Sequence, residues 1–106
     1  MPDRYVGDCL VHARRIAALL AAEGRTPWIA RIRCVEQRGD AVFTHPLIPK
    51  RFLGKGALAW TTHYVACADG QAYDPIAGEP VPIDDYVRII FGDVPATMEL
   101  APSTPN

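Results

Sequence analysis

The sequence predicts a single α+β domain, in which one long N-terminal helix packs on a small, mainly antiparallel sheet. Three observations lead to this fold class. The chain has 106 residues, which is the length of one domain. One segment has helical periodicity, and the other hydrophobic segments are short, rich in β-branched or aromatic residues and separated by turns. With 49% hydrophobic and 22% charged residues, the composition suits a folded chain with one core.

The helix is predicted from Cys9 to Glu23, with Asp8 as its N-cap. Gly24 follows directly, and glycine adopts the left-handed conformation that ends many helices without a steric penalty. The small or apolar residues that fall at helical spacing on one face are Cys9, Ala13, Ile16, Ala17 and Leu20. This face is expected to pack on the sheet.

The first strand is predicted over residues 27–35, where β-branched and aromatic residues are frequent. Val42 and Phe43 are expected either to continue this strand or to pair with it across a turn at 38–40. Residues 44–57 hold two prolines, two glycines and three cations, and are predicted to form a loop. Because this loop precedes the next strand directly, we expect it to border a functional cleft and to help select a ligand.

The remaining elements are a strand over 58–68, a strand from 71 to 73, an extended segment over 80–83 and a short helix from 84 to 90. The Asp69-Gly70 pair between the two strands is typical of a hairpin turn. Gly92 is expected to end the short helix. Three prolines follow from Asp93 onward, so we predict one domain over residues 1–92 and a proline-rich extended tail over 93–106.

Several function classes are disfavoured by composition. The formal net charge is −1, which gives no basic surface for nucleic acid or for an acidic membrane. The longest strongly apolar segment, 16–22, is far shorter than the roughly 20 residues that span a bilayer. No signal-peptide pattern is visible, so we expect a cytoplasmic protein, or one exported without a classical signal peptide. No nucleotide-binding motif or serine-centred elbow occurs, and no cofactor is expected.

Three residues carry the chemistry that the sequence predicts. Cys9 is expected in the first turn of the helix, where the partial positive charge of the helix end lowers a cysteine pKa and favours the nucleophilic thiolate. Its own backbone N–H would be unpaired there and could donate to an oxyanion. His63 lies on a strand that can hold a base rigidly. Asp74 follows the next strand, about 4.8 Å away, where a carboxylate can orient the imidazole.

Two motifs resemble a known group of enzymes. The first is GDCLVHA at residues 7–13, a Gly-x-Cys that opens a helix ending in Gly24. The second is HYVACADGQAYDP at residues 63–75, a histidine strand followed by an acidic-Gly turn and an Asp-Pro. Their placement and their order, cysteine, then histidine, then aspartate, resemble the transglutaminase-like group of the papain-like cysteine enzymes.

The resemblance implies a papain-like or transglutaminase-like core and a thiol-dependent enzyme that acts on a peptide or protein amide. Cys9 would attack the carbonyl, His63 would move the proton, and Asp74 would orient the ring. Water or an amine would then resolve the acyl-enzyme thioester, which leaves peptidase, amidase or deamidase, and transglutaminase activities open. Members of the group use a glutamine or an aromatic residue for the oxyanion, so the candidates here are Tyr5 and the backbone N–H of Cys9.

Other interpretations remain open at this stage. Residues 1–8 hold no glutamine or asparagine for an oxyanion hole, which favours a catalytically inactive binding or accessory module of the same fold. A small effector or toxin domain is a further alternative, and the oligomeric state is open. His12 lies one helical turn after Cys9 and ranks second as a base. Cys34 and Cys67 lie within strands and are interpreted as core residues.

A metal site is the other interpretation of these side chains. Cys9 and His12, with Cys34, His63 or Cys67, supply the ligand types of a tetrahedral zinc site. Structural zinc sites usually combine two closely spaced ligand pairs, and only one such pair occurs here. No metal is therefore expected.

Overall fold

A computed structural model describes the backbone of residues 2–47, 49 and 62–101, and the side chains of that part from Cys9 onward. This part of the chain forms two helices and one six-stranded antiparallel sheet, which confirms the α+β class. The elements in chain order are α1 (Pro2–Ala22), β1 (Trp28–Arg38), β2 (Ala41–His45), β3 (His63–Ala68), β4 (Gln71–Tyr73), β5 (Val81–Pro82), α2 (Ile83–Phe91) and β6 (Ala96–Leu100). Neither helix within the described residues is long and apolar enough to cross a membrane.

Helix α1 begins at Pro2, so the predicted start at Cys9 is corrected. Proline suits the first position of a helix, because its missing N–H would have no intrahelical partner there. The predicted end is confirmed. Gly24 has φ +83°, its N–H donates to the Ala21 carbonyl at 2.9 Å, and the N–H of Arg25 donates to the Leu20 carbonyl at 3.2 Å. This pair of bonds is the Schellman motif, which satisfies carbonyls that the helix leaves without partners.

Strand β1 is the centre of the sheet and pairs with three strands. Residues 28–32 pair with β3, 34–38 with β2, and 30–34 with β6. Since a strand has only two edges, β2 and β3 follow each other along one edge, and β6 covers the other. The hairpin between β1 and β2 shows that, of the two predicted alternatives, Val42 and Phe43 pair with the first strand.

Strand β6 corrects the prediction of an extended tail. Ala96–Leu100 is extended as expected, but it pairs along its whole length with β1. Both Arg31 and Arg33 of β1 contact the carboxylate of Glu99, at 2.8 Å each, and help to fix the pairing. The prolines of this region flank the strand at positions 95 and 102 and therefore do not interrupt its hydrogen bonds.

The hairpin between β3 and β4 has the predicted turn. Asp69 and Gly70 have φ +55° and +78°, as a type I′ turn requires. Within the predicted loop over 44–57, β2 continues to His45, and Leu47 is buried in the core. Most of the loop, 48 and 50–57, lies outside the described residues, and with it the predictions that the loop borders a cleft and helps to select a ligand. The predicted strand residues 58–61 also lie outside them.

The two helices pack on opposite faces of β3, because successive side chains of a strand point to opposite sides. Ala66 and Ala68 form a cluster with Leu20 of α1. Val65 and Cys67 belong to the larger cluster that contains residues of α2. Short alanine side chains on the α1 face allow that helix to approach the strand closely. The contact of Leu20 with Ala66 and Ala68 confirms the prediction that α1 packs on the sheet.

Candidate active site

Cys9 lies on the buried side of α1, with 7% of its surface exposed. It lies two turns beyond Pro2, so its backbone N–H falls within the i to i−4 ladder of the helix. This corrects two predictions made from the sequence. The influence of a helix end fades within one turn, so it does not act on Cys9, and the N–H of Cys9 is not a spare donor for an oxyanion.

His63 is the first residue of β3 and is fully buried. Its Nε2 lies 2.9 Å from Oδ2 of Asp74. The neighbouring Cys9 side chain also raises the pKa of His63, so the thiol lies close to the ring. Since the aspartate engages Nε2, we assign Nδ1 to the interaction with the sulfur. The predicted cysteine, histidine and aspartate are therefore brought together by α1, β3 and the end of β4.

Asp74 follows β4 directly and is 4% exposed. Its Oδ1 accepts a hydrogen bond from the backbone N–H of Ile76 at 3.0 Å. Its Oδ2 accepts from the Tyr86 hydroxyl and also lies against His63. Since these partners come from the β4–β5 connection, α2 and β3, the carboxylate is fixed in position and both of its oxygens are engaged.

Tyr86 and Phe91 of α2 are site residues that the sequence reasoning missed. Tyr86 is fully buried, and the Phe91 ring meets the His63 ring edge to face, with centroids 6.0 Å apart and an interplanar angle of 76°. A second edge-to-face contact joins Phe91 to Tyr86 at 6.3 Å. The apolar periodicity of α2 signals that these side chains are buried, but it does not indicate which residues they contact.

The electrostatics of the cysteine depend on its neighbours. Burial raises the pKa of Cys9, but the hydrogen bond and charge of His63 and the backbone amides of Tyr64 and Leu10 lower it, so the net direction is downward. Amide N–H groups lower a thiol pKa because they donate to the thiolate. Burial lowers the pKa of His63, but hydrogen bonds and charge from Asp74 and Cys9 raise it overall. The two shifts both favour a thiolate beside an imidazolium.

The other two cysteines are buried core residues, as predicted. Cys34 is 5% exposed and Cys67 is fully buried, and neither forms a disulfide. Burial raises the pKa of Cys67 to about 12. The contrast with Cys9 is informative, because both thiols are buried but only Cys9 has a histidine beside it. The lowered pKa of Cys9 therefore arises from His63 and from the amides of Tyr64 and Leu10.

The remaining predicted candidates have different outcomes. The side chain of Tyr5 lies outside the described part of the chain. His12 is half-buried on α1, and the histidine that lowers the pKa of Cys9 is His63. Across residues 2–47, 49 and 62–101, no group of three or more histidine, cysteine or acidic side chains is arranged to hold a metal ion.

A cleft of about 370 Å³ opens beside Asp74, between α1 and the connection from β4 to β5. Its other lining residues are Ile16, Tyr73, Pro75, Gly78, Glu79 and Pro80. We refer to it as the Glu79 cleft. Its walls are mainly apolar, and its volume lies at the small end of the roughly 300–1,000 Å³ that is usual for ligand pockets.

Comparisons with protein-family models, with curated proteins and with solved structures found no match. The assignment of a function therefore depends on the geometry of this chain. That geometry is a thiol in contact with a buried imidazole, which is held in turn by a buried carboxylate. A nucleophile, a base and a group that orients the base are the parts of a covalent catalytic centre.

Proposed function

We propose that this protein is a thiol-dependent acyl-transfer enzyme that acts on amide bonds. Cys9 is the nucleophile, His63 the acid and base, and Asp74 the group that orients the imidazole. The observation that carries the proposal is the buried chain of contacts from Asp74 through His63 to Cys9. In a merely structural core, burial would raise a thiol pKa, as it does for Cys67.

The reaction follows from the protonation states that the contacts favour. The Cys9 thiolate attacks the amide carbonyl and forms a carbon–sulfur bond, and the His63 imidazolium gives its proton to the departing nitrogen as the carbon–nitrogen bond breaks. An amine leaves and a thioester remains on Cys9. Water or a second amine then attacks the thioester while His63 takes its proton. The thiolate departs, and the product is an acid or a new amide.

Asp74 acts through His63. Its contact with Nε2 fixes the tautomer and the plane of the ring and leaves Nδ1 for proton transfer with the sulfur. It also stabilises the imidazolium while the thiolate is present. The hydrogen bonds from Tyr86 and from the Ile76 amide prevent the carboxylate from turning away.

The oxyanion of the tetrahedral intermediate requires a donor close to the sulfur. The backbone amide of Tyr64 lowers the pKa of Cys9 and therefore lies close to the sulfur, and it is fixed in β3, which pairs with β1 at this residue. We assign this N–H to the oxyanion, in place of the N–H of Cys9. A backbone donor held by a sheet needs no reorganisation during the reaction.

A second candidate is a catalytically inactive module of the same fold. The observation in its favour is the low exposure of Cys9, 7%, which restricts access to the sulfur. The two candidates differ in thiol reactivity, because an activated cysteine reacts with iodoacetamide at pH 6 far faster than an ordinary thiol.

The test uses an activated acyl substrate and mass spectrometry of the intact protein. Incubation with the p-nitrophenyl ester of an N-acylated amino acid should add one acyl group, which peptide mapping should place on Cys9. Cys9→Ala should abolish the adduct, and Cys34→Ala serves as the matched control, because it removes a buried thiol outside the site. Unchanged acylation of Cys9→Ala would contradict the proposal.

The reaction class is then tested with amides. A peptide anilide reports peptidase activity, a glutamine-containing peptide reports deamidation through release of ammonia, and addition of a primary amine reports transamidation. Turnover of at least one amide that is lost in Cys9→Ala is the expected result. A protein whose Cys9 neither acylates nor alkylates faster than free cysteine would be the inactive module.

A further inference from the structure

The Glu79 cleft has no part in the acyl-transfer steps, and its chemistry points to a ligand. Its apolar walls are formed by Ile16, Tyr73 and two prolines, Pro75 and Pro80. Such a surface favours an aliphatic or aromatic group. A carboxylate, that of Glu79, lies among these walls, so the cleft combines an apolar lining with one negative charge.

Glu79 is available to a ligand. It is exposed and forms no ion pair with any residue that the structure describes. The other carboxylate at the cleft, Asp74, is not available, because its oxygens are engaged by Ile76, His63 and Tyr86. A cation that enters the cleft would therefore pair with Glu79.

The charge of Arg25 does not cancel that of Glu79. Arg25 lies over the ring of Tyr73, a wall of the cleft, with its guanidinium carbon 5.0 Å from the ring centroid. Its positive charge is already paired with Asp69 at 2.6 Å and with Glu23 at 3.7 Å. Arg25, Asp69 and Glu23 together carry one net negative charge, so they do not neutralise Glu79. The cleft is therefore complementary to a cation.

The position of the cleft relates it to the sulfur of Cys9. Ile16 is seven residues after Cys9 on the same helix, which corresponds to roughly 10 Å along the axis at about 1.5 Å per residue. An extended peptide covers the same distance in about three residues, at roughly 3.3–3.6 Å each. A substrate whose acyl carbon lies at Cys9 can therefore place a nearby side chain in the cleft.

We propose that the Glu79 cleft is a specificity subsite that binds the side chain of a lysine or arginine residue of the substrate, about three residues from the reacting amide. The methylene stem packs on Ile16 and the prolines, and the terminal cation pairs with Glu79. Long basic side chains suit such a site, because they bury their stems against apolar surface and keep the charge at its edge. This inference rests on the proposed function for its role in catalysis, but the binding can be measured without any reaction.

The first experiment compares two alkylating reagents of equal length, N-hexyl bromoacetamide and N-(6-aminohexyl) bromoacetamide. Peptide mapping measures the rate at Cys9, and each rate is divided by that of iodoacetamide. We expect the ammonium reagent to react about two- to fivefold faster than the hexyl reagent at low ionic strength, the range of a partly exposed ion pair. The ratio should fall toward one in Glu79→Gln and in about 0.5 M salt.

Two variants make the comparison specific. Glu79→Lys should invert the ratio, so that the neutral reagent becomes the faster one. Asp84→Asn is the matched control, because it removes one exposed carboxylate on α2 away from the cleft and changes the net charge by the same amount as Glu79→Gln. Equal ratios in the native protein and in Glu79→Gln would overturn the subsite.

The second experiment needs no nucleophile and separates the two proposals. N-acetyl-lysine amide and N-acetyl-norleucine amide are titrated into Cys9→Ala, and backbone NMR shifts are followed. The lysine compound should bind with a Kd about two- to fivefold lower and should shift the amides of Gly78 and Glu79. Equal affinities, or shifts elsewhere only, would refute the subsite whatever the reactivity of Cys9. Slow alkylation of Cys9 by iodoacetamide, with lysine-selective binding retained, would refute the proposed function alone.

Discussion

Replacement of His63 by glutamine tests the origin of the low pKa of Cys9. Glutamine keeps a donor for Asp74 but carries no charge and holds no titratable proton. Without the imidazole, burial of Cys9 is opposed only by the amides of Tyr64 and Leu10. The pKa should therefore move from below 9.0 toward the value of about 12 that burial imposes on Cys67.

The magnitude follows from these two limits. One pKa unit changes the thiolate fraction about tenfold at any pH below the pKa. Each unit by which the pKa of Cys9 rises therefore lowers the alkylation rate at pH 7 about tenfold, since the thiolate is the reacting form. In the native protein, the rate should rise with pH up to the lowered pKa of Cys9 and level off above it, because the thiolate is the reacting form.

The assay is iodoacetamide labelling from pH 5 to 10, with the adducts assigned to each cysteine by mass spectrometry. Cys34 and Cys67 are buried and report on folding, because both become labelled in any variant that unfolds. His45→Gln is the matched control, since His45 is a partly exposed histidine paired with Glu36 at 2.7 Å in the β1–β2 hairpin. A His63→Gln profile that coincides with the native profile, with Cys67 still protected, would refute the reasoning.

Three further variants test other parts of the structure. Gly24→Ala should lower the free energy of unfolding by about 1 kcal/mol, because φ is +83° at this residue. The expected drop in Tm is roughly 4–8 °C. An unchanged Tm would mean that α1 does not end in a left-handed residue at this position. Tyr86→Phe removes a buried hydroxyl that donates to Asp74, and it should lower the free energy of unfolding, measured by chemical denaturation, by about 1.5–3 kcal/mol. An unchanged free energy would mean that this hydrogen bond from α2 does not stabilise the site. Asp74→Asn should reduce Cys9 alkylation at pH 6 by about tenfold while iodoacetamide still spares Cys67, since a neutral amide stabilises the imidazolium less than a carboxylate does. Native-like labelling of Asp74→Asn would show that the carboxylate does not act on the sulfur.

Local signals in the sequence were sufficient for several elements. Gly24 and the Asp69-Gly70 turn require positive φ, and glycine at such positions is readable without tertiary information. The grouping of Cys9, His63 and Asp74 was also accessible, because a hairpin places the end of β4 beside β3 and the apolar face of α1 must cover the sheet. The predicted effect of a helix end on Cys9 was wrong, because α1 begins about two turns earlier.

The errors have a common physical cause. Asp8 is a strong N-cap residue by propensity, but propensity is a weak guide where a helix can continue through it, and α1 starts at Pro2. The segment that forms β6 lies between prolines, and its pairing with Arg31 and Arg33 depends on a distant part of the chain. The contact of Tyr86 with Asp74 could not be predicted for the same reason, because it depends on where α2 packs in the fold.

The pairing of β1 with β6 also determines the order in which the molecule can be completed. Ala30 of β1 pairs with Leu100 of β6. One edge of β1 therefore stays unpaired until the ribosome has synthesised β6, which lies much later in the chain. Contacts so distant in sequence carry a large loop-closure entropy and form slowly. Until then the nascent chain presents an open strand edge, to which a second nascent chain can add. Cys9, His63, Asp74 and Tyr86 all precede β6, so the proposed site can be assembled while this edge is still unpaired. Early release of the chain would then favour association with a second chain.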